Sequence, residues 1–373
     1  MVDHVSGESI GVIAPVSPDK VLVRRSLCWW RDPPALLRSF GSVSRSKCDW
    51  YRIGDVSLGI DSDDFALRRR FSKLYGECLL DNRADTGAWV HCRVQTAKGS
   101  RTHLVTFTGP GKIELMDLIL QLFHDRGYVE FNEGTAGWRA LSLAGRDYPL
   151  LIANGDCALV DSTQPWQPLI ANCALNLAMS ALPDLLFFHA AAVVIGGAGV
   201  LLVGSKGAGK TTLSMALASR GHAFIGDEIV AVRVTTNELV PVRKAVSIRP
   251  GPRSRRVKQL LRHCSHTREE FPDGSTRMRA KALALFPAVV DRSFPLRCMF
   301  FLRQFEENPR IEKLLVGAAD LQLLTPLAWR TPGASAAKRF MQVAKLVSNV
   351  KCYSLYPGLP DEAAALVERI ARV

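Results

Sequence analysis

Val200-Leu201-Leu202-Val203-Gly204-Ser205-Lys206-Gly207-Ala208-Gly209-Lys210-Thr211-Thr212-Leu213 decides how this chain is read. Its four leading apolar residues predict a buried strand, and Thr212 to Ala218 predicts a helix leading out. Between them lies a complete G-x-x-x-x-G-K-[ST] loop, Gly204 to Thr211. Its glycines let the backbone turn tightly, so that its N–H groups surround phosphate oxygens. Lys210 reaches the β- and γ-phosphates, and the Thr211 hydroxyl can ligate Mg²⁺. A helix that starts here also points its positive dipole end at the phosphates. ATP and Mg²⁺ are therefore the expected cofactors. The expected nucleotide contacts are Gly204, Ser205, Lys206, Gly207, Ala208, Gly209, Lys210, Thr211 and Thr212.

The chain has 373 residues, enough for two domains with separate cores. The expected division is 1–165, a mixed α+β domain, and 166–373, an α/β domain built around the phosphate loop. The longest apolar stretch, Leu185 to Gly204, is interrupted by His189 and by Gly196-Gly197-Ala198-Gly199. It predicts two buried strands joined by a tight turn, with no membrane span. The nine cysteines are scattered and form no C-x-x-C pair, which predicts reduced thiols in a cytoplasmic protein. His263, Cys264 and His266 lie close together, but at none of the usual zinc spacings.

The net charge of +13 is unevenly placed. Residues 1–165 hold 20 basic and 20 acidic side chains; 166–373 hold 28 and 15, which is the whole excess. Arg249 to Lys281 alone carries 10 basic and 3 acidic residues. Such a segment can attract an acidic peptide, a phosphate or nucleic acid. Its only aromatic is Phe271, which argues against single-strand binding. It reads as a loop or lid with a short helix near Val257–Arg262.

Elsewhere, alternation predicts one strand over Tyr51–Ile60, and Asp61-Ser62-Asp63-Asp64 predicts a cap for a helix over Phe65–Tyr75. The Leu27-Cys28-Trp29-Trp30 cluster reads as apolar packing. Further strands are expected at Ala88–Thr96, His103–Thr108, Trp138–Leu143, Leu150–Ala153, Ala223–Val234, Val240–Ile248 and Leu296–Arg303. Helices are expected at Lys112–Asp125, Trp166–Leu182, Ala334–Val347 and Asp361–Arg372.

Phosphoryl transfer needs carboxylates to hold Mg²⁺ and, for a hydroxyl acceptor, one to take the proton. Gly226-Asp227-Glu228 is the best candidate, because two adjacent acids interrupt an apolar strand and need compensation there. Strand alternation would turn them to opposite faces, unless a bend at Gly226 brought both to the site. His189, in Phe187-Phe188-His189-Ala190-Ala191, reads alone as a core histidine. Its strand neighbours the one that delivers the phosphate loop, which makes it a candidate site residue.

Taken together, His189, the glycine turn, Gly204 to Thr211, Ala218-Ser219-Arg220-Gly221-His222 and Asp227-Glu228 resemble the catalytic core of the HPr serine kinase/phosphorylase family. The resemblance covers about residues 185–250. It implies a P-loop kinase core with a mixed sheet and flanking helices, beside an N-terminal domain unlike the family's usual one. It implies that Asp227 accepts the acceptor's proton, that Thr211 and Glu228 hold Mg²⁺, and that His189 lies near the transferred phosphate. Arg249 falls at the family's E-x-R arginine, with Ser247 in place of that glutamate. Lys206 and Ala208 also depart from the usual loop, and phosphorolysis is left open. The implied activity is ATP-dependent transfer to a serine of a peptide or small protein, by an enzyme that assembles as a homo-oligomer. The alternatives are a small-molecule hydroxyl kinase and a nucleotide-dependent regulatory or binding protein.

Overall fold

A computed structural model describes residues 30–40, 47–83, 87–97, 101–123, 126–131, 137–146, 148–163, 166–249, 255–270, 274–328 and 335–372. Leu27, Cys28 and Trp29 lie outside them. The described residues form two compact units. One is built from the described residues within 30–73 and 79–182, the other from those within 74–78 and 183–372.

In the first unit, α1 (Pro33–Ser39) is followed by β1 (Cys48–Ile53), β2 (Val56–Ser62), α2 (Phe65–Tyr75), β3 (Leu79–Leu80), β4 (Trp89–Thr96), β5 (Thr102–Thr108) and α3 (Leu115–Phe123). Then come β6 (Tyr128–Phe131), β7 (Arg139–Leu143), β8 (Leu151–Asn154), β9 (Cys157–Asp161) and α4 (Gln167–Ser180). The nine strands form one sheet in the order β3-β1-β2-β4-β5-β9-β8-β7-β6. Only β2 and β4 pair in parallel. Alternation buries Tyr51, Ile53, Leu58, Ile60, Val90, Val94, Val105 and Phe107 on one face. Helix α4 packs on β1, β2 and β4, so contacts place it with this sheet and the division falls after Leu182, later than expected.

The single strand expected over Tyr51–Ile60 is a hairpin. Gly54, at φ +61°, turns the chain between Ile53 and Val56, which lie opposite each other. The cap before α2 is as expected: Asp64 Oδ1 accepts from the Leu67 amide at 2.6 Å.

The second unit carries β10 (Leu185–Phe188), β11 (Ala191–Ile195), β12 (Ala198–Val203), α5 (Lys210–Ser219), β13 (Ala223–Asp227), β14 (Val230–Arg233), β15 (Glu238–Val240) and β16 (Val246–Ile248). It continues through α6 (Arg255–Arg262), β17 (His266–Glu270), β18 (Thr276–Ala280), α7 (Ala282–Leu285), β19 (Phe294–Leu302), β20 (Arg310–Lys313), α8 (Ala318–Leu324), α9 (Ala336–Ser348), β21 (Lys351–Tyr356) and α10 (Pro360–Ala371). Its main sheet is mixed. β12, β19 and β21 run parallel; β11 pairs antiparallel with β12, and β13 antiparallel with β11.

Both faces of this sheet are covered, so its central strands read as continuous apolar runs. Val200 and Leu202 of β12 pack with α5 and α10, while Leu201 and Val203 pack with α8 and α9. The apolar run from 185 to 204 is three buried strands, and no helix among the described residues is long and apolar enough to cross a membrane.

The basic segment 249–281 is more structured than a loop. Besides α6 it contributes β17 and β18, which join β16 in a three-stranded sheet ordered β16-β18-β17. The strand expected over Val240–Ile248 is divided between the two sheets as β15 and β16. Residues 74–78 belong to this unit because Leu74 accepts from the Ala245 amide at 2.7 Å. The Glu77 carboxylate also accepts from the Ala282 and Leu283 amides at the start of α7.

Candidate active site

The phosphate loop leaves the C-terminal end of β12 and enters α5 at Lys210. Gly207 and Gly209 take φ of +88° and +97°, conformations in which any larger residue is strained. No side chain caps α5, and no acid stands in its first turn. The first-turn amides are therefore open to an anion. Lys210 is 7% exposed; its ammonium donates to the carbonyls of Gly204 at 2.8 Å and Ser205 at 3.0 Å. Burial lowers its pKa. Asp227 opposes that shift, and the charge of exposed Arg249 adds to it, which brings Arg249 into the same electrostatic field.

Asp227 ends β13 opposite Ala191 of β11. The Thr211 hydroxyl donates to its two carboxylate oxygens at 3.0 and 3.1 Å. The carboxylate is 2% exposed. Burial, and the neighbouring charge of Glu228, push its pKa up to about 7. A carboxyl tuned this way exchanges a proton near neutrality.

The strand pair is broken at the level of this carboxylate. Phe188 pairs with Val230 and Ala191 with Asp227, so His189 and Ala190 lie across from Glu228 and Ile229, where neither chain is in a strand. The bend is not made at Gly226 but at Glu228, whose φ is +66°. Gly226 serves close packing instead: a Cβ there would lie 3.1 Å from the Ile229 carbonyl oxygen. His189 donates its backbone N–H to Leu327, and its Nδ1 lies 3.2 Å from the Glu228 carbonyl oxygen. Burial lowers the His189 pKa, with Lys210 the nearest charge in effect.

Glu228 departs from expectation. Its carboxylate meets Lys244 at 2.8 Å, Arg279 at 3.1 Å and Arg277 at 3.4 Å. Burial alone would raise its pKa, but the three cations outweigh burial and hold it well below the carboxylate range. The pairing of Thr211 with Glu228 is therefore not what the structure brings together. Thr211 faces Asp227, and Glu228 faces cations. Lys244, Arg277 and Arg279 were not expected at the site. The alternation Thr276-Arg277-Met278-Arg279-Ala280 is the signal that could have found two of them, since it places both arginines on one face of a strand. Met278 packs on the core side.

The Arg220-Gly221-His222 turn follows α5. Arg220 and His222 both bind Glu368 of α10, each at 2.8 Å. Among the described residues no group of three His, Cys, Asp or Glu side chains could hold a metal, and no disulfide joins the described cysteines. The Thr211 hydroxyl is a hard oxygen donor of the kind Mg²⁺ takes, and its lone pair would be open to the ion while its proton is donated to Asp227.

Strand, glycine loop and helix, faced by a buried aspartate, define a P-loop α/β unit. Residues 181–248 match the family model of the HPr Serine kinase C-terminal domain. The HPr kinase/phosphorylase of Aromatoleum aromaticum is 35% identical over 77 residues, 21% of this chain and 24% of that protein. That of Chlorobium phaeovibrioides is 39% identical over 46 residues, 12% of this chain and 14% of that protein. The chain thus spans about a quarter or less of the length of these curated relatives. The HPr(Ser) kinase/phosphatase from Coxiella burnetii aligns over 50% of this chain and 93% of its own, at 17% identity and a TM-score of 0.26. Residues 181–248, which hold the phosphate loop and the acidic turn, are similar to the C-terminal domain of HPr kinases.

Proposed function

We propose that the P-loop unit is an ATP- and Mg²⁺-dependent phosphotransferase that moves the γ-phosphoryl group to a hydroxyl, in the first instance a serine of a peptide or small protein. The observation that carries this reading is the Thr211–Asp227 contact, which sets a buried carboxylate against the start of the phosphate-loop helix. A hydrolase would need only a positioned water. A group with a pKa of about 7 is suited to take the proton of an attacking hydroxyl.

The loop amides and the first turn of α5 hold the phosphates, and Lys210 and Arg249 offset their charge. Thr211 would hold Mg²⁺, which when bound neutralises charge on the transferring group, while Asp227 accepts the hydrogen bond of the Thr211 hydroxyl and stays off the ion. The acceptor oxygen forms its bond to phosphorus as the bond to the β-phosphate oxygen breaks. ADP leaves, and the acceptor's proton passes to Asp227. His189, fixed by its bond to Glu228, lines the same level of the strands. The first unit supplies partner binding in this reading.

The test is mass spectrometry of peptide, small-protein and hydroxylated-metabolite pools after incubation with γ-labelled ATP. A phosphoserine product is expected, and label only in metabolites or only in inorganic phosphate overturns the acceptor assignment. Asp227→Asn should lower transfer about 100-fold or more while nucleotide binding persists. Full activity in that variant removes Asp227 as the base.

A further inference from the structure

We propose that Glu228 is a positioning residue that ties the three-stranded sheet to the broken strands and so sets His189 and Asp227, and that it is not a ligand of the metal. The inference rests on the kinase reading only for what the positioned groups do.

Three observations carry it. The first is that both carboxylate oxygens are engaged. Oε2 receives Lys244 and Arg279, and Oε1 receives Arg277. The three cations are themselves 2–6% exposed. A Mg²⁺ ion drawn to Glu228 would have to displace cations that are themselves buried.

The second is the backbone. Glu228 is one of two described non-glycine residues with positive φ. Such a conformation persists only where the surroundings over-determine it. Here the ion pairs do so, since they come from separate pieces of chain: Lys244 between β15 and β16, and both arginines on β18.

The third is the consequence. In this conformation the Glu228 carbonyl meets His189 Nδ1 at 3.2 Å, and the Ile229 amide closes onto the Asp227 carbonyl at 2.8 Å. A carbonyl only accepts, so neutral His189 carries its proton on Nδ1 and presents Nε2 as an acceptor. The side chain of Glu228 thereby fixes the tautomer of one candidate residue and the exit angle of the other.

Register extends the link to the rest of the basic segment. Arg279 pairs with Ser247 of β16 and Thr267 of β17, and Arg277 with Glu269. Glu269 also binds Arg279 at 2.9 Å. The cationic face of the small sheet is thus a continuous frame that closes on Glu228.

Glu228→Gln, Glu228→Asp and Arg277→Gln test the proposal. Three readouts are needed: the Mg²⁺ dependence of fluorescent ATP-analogue binding, kcat and KM separately, and the hydrogen-bonded Nδ1–H proton of His189 by NMR. Glu228→Gln should lower kcat about 10- to 100-fold. Its half-saturating Mg²⁺ concentration should stay within about twofold of the parent, because no ligand is lost. The His189 Nδ1–H signal should weaken or vanish. Glu228→Asp, which keeps the charge, should recover part of the kcat and the signal. Arg277→Gln removes only the longest of the three pairs, so it tests the same link should Glu228→Gln fail to fold; it should move kcat and the signal in the same direction, less far. A rise of about tenfold or more in the Mg²⁺ requirement with the histidine signal intact overturns the proposal in favour of a metal ligand. If the parent protein shows no ATP turnover, the kinase reading fails, and the NMR signal still decides whether Glu228 holds His189.

Discussion

Two turns meet at the site and are built by opposite means. The phosphate loop takes left-handed backbone at Gly207 and Gly209, where the missing side chain makes that conformation free of strain. The acidic turn takes it at Glu228, where a full side chain stands and three buried cations hold it. The first shape is written into local residue choice. The second exists only because distant strands fold onto it. A turn of the first kind survives on its own chemistry, whereas one of the second kind reports on everything packed around it.

The sharpest way to break this comparison is to give the acidic turn the other turn's device. Glu228→Gly relieves the backbone by about 1 kcal/mol but leaves three buried cations without their shared partner, a loss of about 3–5 kcal/mol. Chemical denaturation should show a net destabilisation of about 2–4 kcal/mol. A variant as stable as the parent would show that the cations do not hold the turn.

The reverse exchange should cost less. Gly209→Ala puts a side chain at φ +97°, in open space, so strain alone is charged, about 1–2 kcal/mol. Calorimetric melting should record that loss, and nucleotide titration should show weaker binding as the amides tilt out of place.

A third turn uses both devices and should be the least sensitive. In Arg220-Gly221-His222, Gly221 takes φ +93° while the flanking side chains bind Glu368. The hydrogen bond from Arg220, with His222 adding, holds the Glu368 pKa down at about 2. A folded-state pKa below the unfolded one means that the stabilisation is present above about pH 4.5 and is lost as pH falls toward 2. Arg220 is partly exposed, so the full shift is discounted for solvent screening. Glu368→Gln should cost about 1 kcal/mol at pH 7, and the difference from the parent should close between pH 4.5 and 2 in acid titrations followed by circular dichroism.

Legibility in the sequence follows the same line. Helix α2, the strand–loop–helix around Lys210, and the α9 and α10 helices carry their signals within a few residues: a capping Asp64, the glycine spacing, an apolar stripe. The breaks were harder. Tyr51 to Ile60 reads as one run because each arm alternates, yet the two-residue hairpin shifts the phase: Ile53 and Val56 lie three residues apart and share a face. Ala223 to Val234 reads as one strand because nothing local marks Glu228 as the bend. Val240 to Ile248 reads as one strand although its two ends join different sheets.

By itself the sequence determined that this chain has a phosphate-binding loop between a buried strand and a helix, and that acids follow it closely. Glycine and lysine at fixed offsets specify that geometry whatever surrounds them. The tertiary structure alone decided which partners each acid meets. Asp227 and Glu228 are neighbours of the same charge, and only the partners that folding brings to them differ: a threonine hydroxyl for one, three cations for the other. Burial strengthens both sets of contacts. It raises the proton affinity of Asp227 and is outweighed by the cations at Glu228, so one side chain exchanges a proton near neutrality while its neighbour stays charged.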